Sequence, residues 1–227
     1  MNARFMHGAT NPADPYWSMV QPPDGGGLQG LQRLHIGCGF KRLDGFINVD
    51  AMPACMPDQV ADIEQPWPWA DDSVSEIVAE HVLEHVGQTP AQFIAVLKEM
   101  YRVCRDGAVI RIVVPHPDHE VFAIDPTHVR AIRPQTLAMF DQTRNAEVIA
   151  TGNSETPLGL YHDLDLELLY VNMVPDAAIG AALQAGQISE AELQQLERHQ
   201  RNIIIETRMV LRVHKPGRGK TCPPTFK

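Results

Sequence analysis

The 227-residue sequence predicts an α/β domain built on a mostly parallel, seven-stranded sheet with helices on both faces. Three observations carry the prediction. Short apolar stretches recur from Leu31 onward and end on glycine or aspartate. One segment between them, 90–105, repeats its apolar residues at helical spacing. The run AVIRIVVP, 108–115, is continuously apolar apart from one arginine, the pattern of a strand covered on both sides.

The elements follow in order. Residues 1–30 read as a weakly structured arm holding Pro12, Pro15, Pro22, Pro23 and a Gly25–Gly27 run, with Tyr16 and Trp17 to dock it. LQRLHIG is the first strand, GFINVD the second and QVADI the third, ending near Ile63. A turn-rich EQPWPWADDS leads to the fourth strand, VSEIVAEH. Thr89, Pro90 and Gln92 then start a helix with a capping box. Phe93, Val96, Leu97, Met100, Tyr101 and Cys104 form its apolar face, and Gly107 is placed for a left-handed cap. The fifth strand, to Pro115, is followed by a loop rich in His and Asp that runs to about Arg133. A short helix is expected from Pro134 to Phe140, and a strand over 158–174. Residues 176–201 read as a helical insertion broken at Gly186, its second helix capped by Ser189 and its apolar positions (Ile179, Ala182, Leu183, Leu193, Leu196) suited to burial or a homodimer contact. NIIIETRMVLRVHK closes the domain, 31–215, and a loose tail is expected over 216–227.

Composition narrows the function. A formal net charge of −9 opposes generic nucleic-acid binding, despite local basic clusters at Arg102–Arg105 and Lys215–Lys220. Cys38, Cys55, Cys104 and Cys222 form no C-x-x-C pair, against a thiolate zinc site or a disulfide framework. With no signal-peptide pattern and no spanning apolar run, a cytoplasmic protein without a membrane partner is expected.

The chemistry concentrates at strand ends, where open α/β sheets bind ligands. Gly37, Cys38 and Gly39 follow the first strand, and glycine there lets backbone approach a ligand closely. Asp50 ends the second strand, placed to accept from both ribose hydroxyls; Asp62 ends the third, placed for an adenine amino group, and Met52 for the adenine face. A dinucleotide site would need a third glycine at position 42, which is Arg42, and a full crossover helix, which the short span from Gly39 to Asp50 does not hold. A phosphate-free nucleoside, S-adenosylmethionine, fits instead.

The stretch from Leu34 to about Asp141 resembles the class I S-adenosylmethionine-dependent methyltransferases, with a Rossmann-like fold. The pieces that carry the resemblance are L-H-I-G-C-G, N-V-D, A-D-I, P-W-P-W-A-D-D-S-V, E-H-V-L-E-H and I-R-I-V-V-P, in that order. The resemblance implies that Gly37 and Gly39 meet the methionine part of the cofactor, Asp50 the ribose, and Asp62 with the backbone of Ile63 the adenine. Glu80 and His81 would border the methionine amino group and the methyl. Two departures stand out: His35 occupies a position where many relatives carry an acid, and the first crossover is shortened.

His81, Glu84 and His85 spell H-x-x-E-H, an inverted zinc-protease pattern, but Gly87 leaves little room for the helix that zinc catalysis would need. A strand-end loop and one helical turn are expected there. In the loop after the fifth strand, His116, His119 and His128 are the candidates for a base that deprotonates the acceptor. The same loop admits a metal cluster of His116 and His119 with His128 or Asp125; the reading taken is a site without metal. Arg130 and Arg133 are candidates for an acidic acceptor, with solvated side chains the plainer reading. No N-P-P-Y string follows the fourth strand, which places O-methylation of a small molecule slightly ahead of N- and C-methylation. The rival readings are a non-catalytic nucleoside-binding module and an NAD-dependent oxidoreductase.

Overall fold

A computed structural model of the protein describes residues 4–6 and 30–221. Its strands are β1 (Arg4–Met6), β2 (Gln32–Ile36), β3 (Ile47–Asp50), β4 (Gln59–Val60), β5 (Val74–Glu80), β6 (Cys104–Pro115), β7 (Leu166–Pro175) and β8 (Ile204–Val213). They form one sheet in the order β1-β7-β8-β6-β5-β2-β3-β4. Only β8 runs antiparallel to its neighbours, pairing with β6 through Ile112↔Met209 and with β7 through Val171↔Met209. The seven strands expected from Leu31 onward are present. An eighth, β1, extends the sheet in parallel at the β7 edge (Phe5↔Val171), so part of the expected arm is strand. The rest of that arm and residues 222–227 lie outside the described residues.

The helices are α1 (Pro90–Val103), α2 (Glu120–Ile124), α3 (Pro134–Ala138), α4 (Gln142–Ala150), α5 (Leu158–His162), α6 (Ala177–Gln184) and α7 (Glu190–His199). α1 starts as expected: Gln92 N–H donates to Thr89 Oγ1, and Thr89 N–H to Gln92 Oε1. It buries Phe93, Val96, Leu97, Met100 and Val103, each contributing about 1.5–3 kcal/mol relative to exposure. Its C-cap is Cys104, not Gly107. Gly107 (φ +75°) instead sits in the irregular start of β6, where the register with β5 shifts between Val74↔Cys104 and Glu76↔Val109. α7 carries a second capping box, Ser189 with Glu192. Leu193 is buried and Ile179, Leu183 and Leu196 pack against the main core, so this face of the insertion is covered within the chain.

Other expectations need correction. The strand placed over 158–174 begins with helix α5, because Gly159 fits under Phe140 and Asn145: a Cβ there would lie 2.7 Å from the Phe140 carbonyl oxygen. Helix α4 has no counterpart among the elements the sequence predicts; its cap is Asp141, whose Oδ1 accepts from Thr143 and Arg144 N–H. The tail from Pro216 is docked as far as it is described. Arg218 donates to both oxygens of Asp165, a fully buried carboxylate, and also to Asp141. The apolar strand β6 buries Arg111 against Glu76 (Nε–Oε1 2.6 Å), which Arg33 also meets. A paired buried charge of this kind is tolerated in a sheet interior because each partner satisfies the other.

Candidate active site

The chain passes from β2 outward to β3 and β4, then returns to β5 on the other side of β2. Strand order therefore reverses between β2 and β5, and a crevice opens beyond their carboxyl ends. The loops after these two strands meet there. Gly37 (φ +63°) is so close to the β5 loop that an added Cβ would lie 2.3 Å from Val82 Cγ2. Gly39 (φ +51°) has open space where its Cβ would be, so its glycine serves backbone conformation and leaves room on the crevice side.

Asp50 organises this end of the sheet. Oδ2 accepts from Gly39 N–H at 2.8 Å and Oδ1 from Met52 N–H at 2.8 Å. Its carbonyl accepts from Ala61 N–H, tying β3 to the chain just before Asp62. Each carboxylate oxygen keeps a second lone pair, so the residue can hold the glycine loop and still receive a sugar hydroxyl. Cys38 is buried, its N–H bonded to the Val49 carbonyl. Met52 is 59% exposed, an apolar side chain left without cover beside Asp50. Asp62 Oδ1 accepts from Glu64 N–H, and the buried Ile63 turns its carbonyl to Trp67 Nε1.

The shortened crossover is held by Asn48. Its Oδ1 accepts from Leu43 N–H and from His35 Nδ1, and its Nδ2 donates to Asp58 and to the carbonyls of Leu43 and Phe46. A single amide thus replaces the helix that would otherwise support this loop. Burial pushes the His35 imidazole below its ordinary pKa, so a neutral ring stands beside Asn48. Bonds from the Asn48 backbone and side chain, with Arg42, draw the Asp58 carboxyl down to about 2.

Glu80 ends β5 and ion-pairs with Lys41 across the crevice mouth. His81 adopts φ +51° and donates from Nε2 to Glu206 Oε2 at 3.0 Å, while Nδ1 stands 3.5 Å from Glu84 Oε1. Glu206 first, then Glu84, raises its pKa to about 9. His81 is therefore a held cation near neutral pH rather than a base. Glu206 lies 125 residues away in sequence, on the strand that returns antiparallel, and no local motif announces it.

The H-V-L-E-H stretch forms the expected single turn, Leu83–His85, after β5. The loop after β6 comes to it: Val129 and Arg130 N–H both donate to the Glu84 carbonyl. The three histidine candidates differ in what their nitrogens do. His116 Nδ1 accepts from Asp118 N–H, and burial lowers its pKa. His119 caps α2 through Nδ1, and its Nε2 is 3.5 Å from Asp176. His128 Nδ1 donates to the Phe122 carbonyl at 2.8 Å, which leaves the Nε2 lone pair uncommitted by that bond. The His128 ring is stacked on Phe122 and lies 4.7 Å, centroid to centroid, from His85. No local pattern links His85 to His128; their pairing emerges only where the two loops meet. Arg130 donates to the Gly87 carbonyl and lies over Phe93, and Arg133 pairs with Asp118, so both arginines brace the loop.

Similarity to known proteins agrees with this layout. Residues 45–112, from the shortened crossover through the core of β6, match a family model described as a methyltransferase domain. The fold resembles a SAM-dependent methyltransferase from Archaeoglobus fulgidus (19% identity, 81% of this chain and 86% of that one, TM-score 0.53). It also resembles the [4+2]-cyclase SpnF (14% identity, 88% and 81% of the two chains, TM-score 0.50). No curated protein sequence matches the chain. The fold is that of the class I S-adenosylmethionine-dependent methyltransferases, and the segment over 45–112 matches a methyltransferase domain. The matched segment ends at Ile112 and includes neither the Gly37–Gly39 turn nor the loop after β6.

Proposed function

We propose that the enzyme transfers the cofactor's methyl group to a hydroxyl oxygen of a small molecule. The observation that carries this is the His85–His128 pair, set by backbone bonds between the two loops that border the crevice. A sulfonium is already activated, so the protein must align oxygen, methyl and sulfur and keep water out. The acceptor oxygen forms the new O–CH3 bond as the C–S bond breaks and its electron pair returns to sulfur. The acceptor's proton has to leave as well, and the lone pairs that serve this step belong to His85 and His128. His116 and His119 spend their Nδ1 acceptors on backbone amides. The net charge of −9 supports a small acceptor over nucleic acid.

The test is turnover of isotope-labelled S-adenosylmethionine against paired small acceptors that differ only in carrying a hydroxyl or an amine. Label appearing as a methyl ether supports the reading. Label found only on amines, on carbon or on macromolecules overturns it.

A further inference from the structure

We infer that Glu84, His85 and His128 form a binding site for a divalent transition-metal cation. The inference rests on the proposed role of the same loops in receiving the acceptor; with a cation bound, the lone pairs of His85 and His128 hold it, and the acceptor's proton leaves to solvent instead of to either imidazole. The sequence reading expected no metal. One ligand atom from each of the three residues lies within 4.8 Å of the other two. Donors around a tetrahedral zinc stand about 3.4 Å apart, so side-chain rotations of about 1 Å close the set.

An independent observation points the same way. Glu84 is 1% exposed, and neither of its carboxylate oxygens accepts a hydrogen bond. One oxygen is 3.5 Å from His81 Nδ1; that contact balances charge without satisfying the carboxylate's lone pairs. His81 supplies one counter-charge, and the carboxylate lone pairs that it leaves unsatisfied are those a bound cation would take up.

The hydrogen bonds around the two imidazoles also fix their tautomers in the metal-binding form. The Phe122 carbonyl can only accept, so His128 carries its proton on Nδ1. Thr127 Oγ1 gives its hydrogen to Asp125 Oδ1 at 2.6 Å, so it must accept from His85 Nδ1 at 2.9 Å. Both rings therefore present the Nε2 lone pair. A carboxylate, relayed through a hydroxyl, orients one of them, as outer-shell partners do in histidine metal sites. Asp125 Oδ2, 3.8 Å from His128 Nε2, adds negative charge at the rim. Two imidazoles and one carboxylate make a set for zinc or a similar ion, with a coordination position left open. A hydroxyl bound there would release its proton to solvent near neutral pH.

The experiment is calorimetric titration of the untagged, metal-stripped full chain with Zn2+, and with Co2+ followed by its visible absorption. One saturable equivalent is expected, with Co2+ bands of low coordination number. His128→Asn and Glu84→Gln should each weaken binding by about a hundredfold, and Thr127→Val by about tenfold; His199→Ala, on an exposed helix end, should leave it unchanged. Circular dichroism and S-adenosylhomocysteine affinity report folding in each variant. Absence of stoichiometric binding, or binding indifferent to Glu84 and His128, overturns the inference. Methyl-ether formation that persists in the stripped enzyme leaves the O-methylation reading standing while removing the cation from it. A bound cation with label only on amines does the reverse.

Discussion

Replacing Gly37 by alanine tests whether the crevice depends on contact between the loops after β2 and β5. The new Cβ would lie 2.3 Å from Val82 Cγ2 and 2.5 Å from Val82 Cβ. Both distances are far inside van der Waals contact, so the Val82 backbone must move. Overpacking of this kind costs about 1–3 kcal/mol, and a non-glycine residue held at φ +63° adds about 1 kcal/mol. Gly39→Ala is the internal control, because its backbone is equally left-handed (φ +51°) and the space beyond is open. Urea unfolding should therefore show Gly37→Ala less stable than Gly39→Ala by about 1–3 kcal/mol. S-Adenosylhomocysteine affinity, read by calorimetry, should fall at least about tenfold in Gly37→Ala, since the loop expected to meet the methionine part is displaced. Adding Val82→Gly should restore part of the lost affinity. Equal stabilities for the two alanine variants, or no coupling between positions 37 and 82, would refute the steric argument.

Further outcomes follow from the same structure. Asp50→Ala removes the acceptor for two backbone N–H groups and the expected ribose partner, and should weaken S-adenosylhomocysteine binding at least about tenfold by calorimetry; unchanged affinity would count against the cofactor placement. Arg218→Ala strips the buried Asp165 of its counter-charge and should cost about 3 kcal/mol in urea unfolding, whereas a loose tail would leave stability untouched. Asp58 has its pKa lowered on folding to about 2 by its bonds from Asn48 and Arg42, so its contribution is complete above the ordinary carboxylate range and disappears as pH falls through that value. The stability gap between the protein and Asp58→Asn should accordingly hold constant near neutral pH and close in acid; a gap that widens in acid would contradict the assignment.

The sequence was most legible where local chemistry and tertiary placement agree. The Thr89–Gln92 and Ser189–Glu192 capping boxes form between residues three apart, so their motifs specify them directly. It was least legible where distant contacts override local preference. LGLYH looks like strand, yet it becomes helix α5 because Gly159 tucks beneath Phe140 and Asn145. Gly107 looks like a helix cap, yet the sheet takes it into the irregular start of β6. In the site, N-V-D drew attention to Asp50, while the residue that shapes the loop is its neighbour Asn48, whose partners lie on both sides of the crossover.

By itself the sequence determined the class of fold and which residues stand at the strand ends around β2 and β5. Both depend on strand periodicity, a local property. Only the tertiary structure decided which histidines keep a free lone pair, and that His81 is a held cation. It also decided that Glu84 is buried beside His85 and His128. Those properties are set by hydrogen-bond partners on other strands and loops, such as Glu206, Phe122 and Thr127. An imidazole's proton sits where its neighbours put it, and neighbours across a sheet are chosen by the fold.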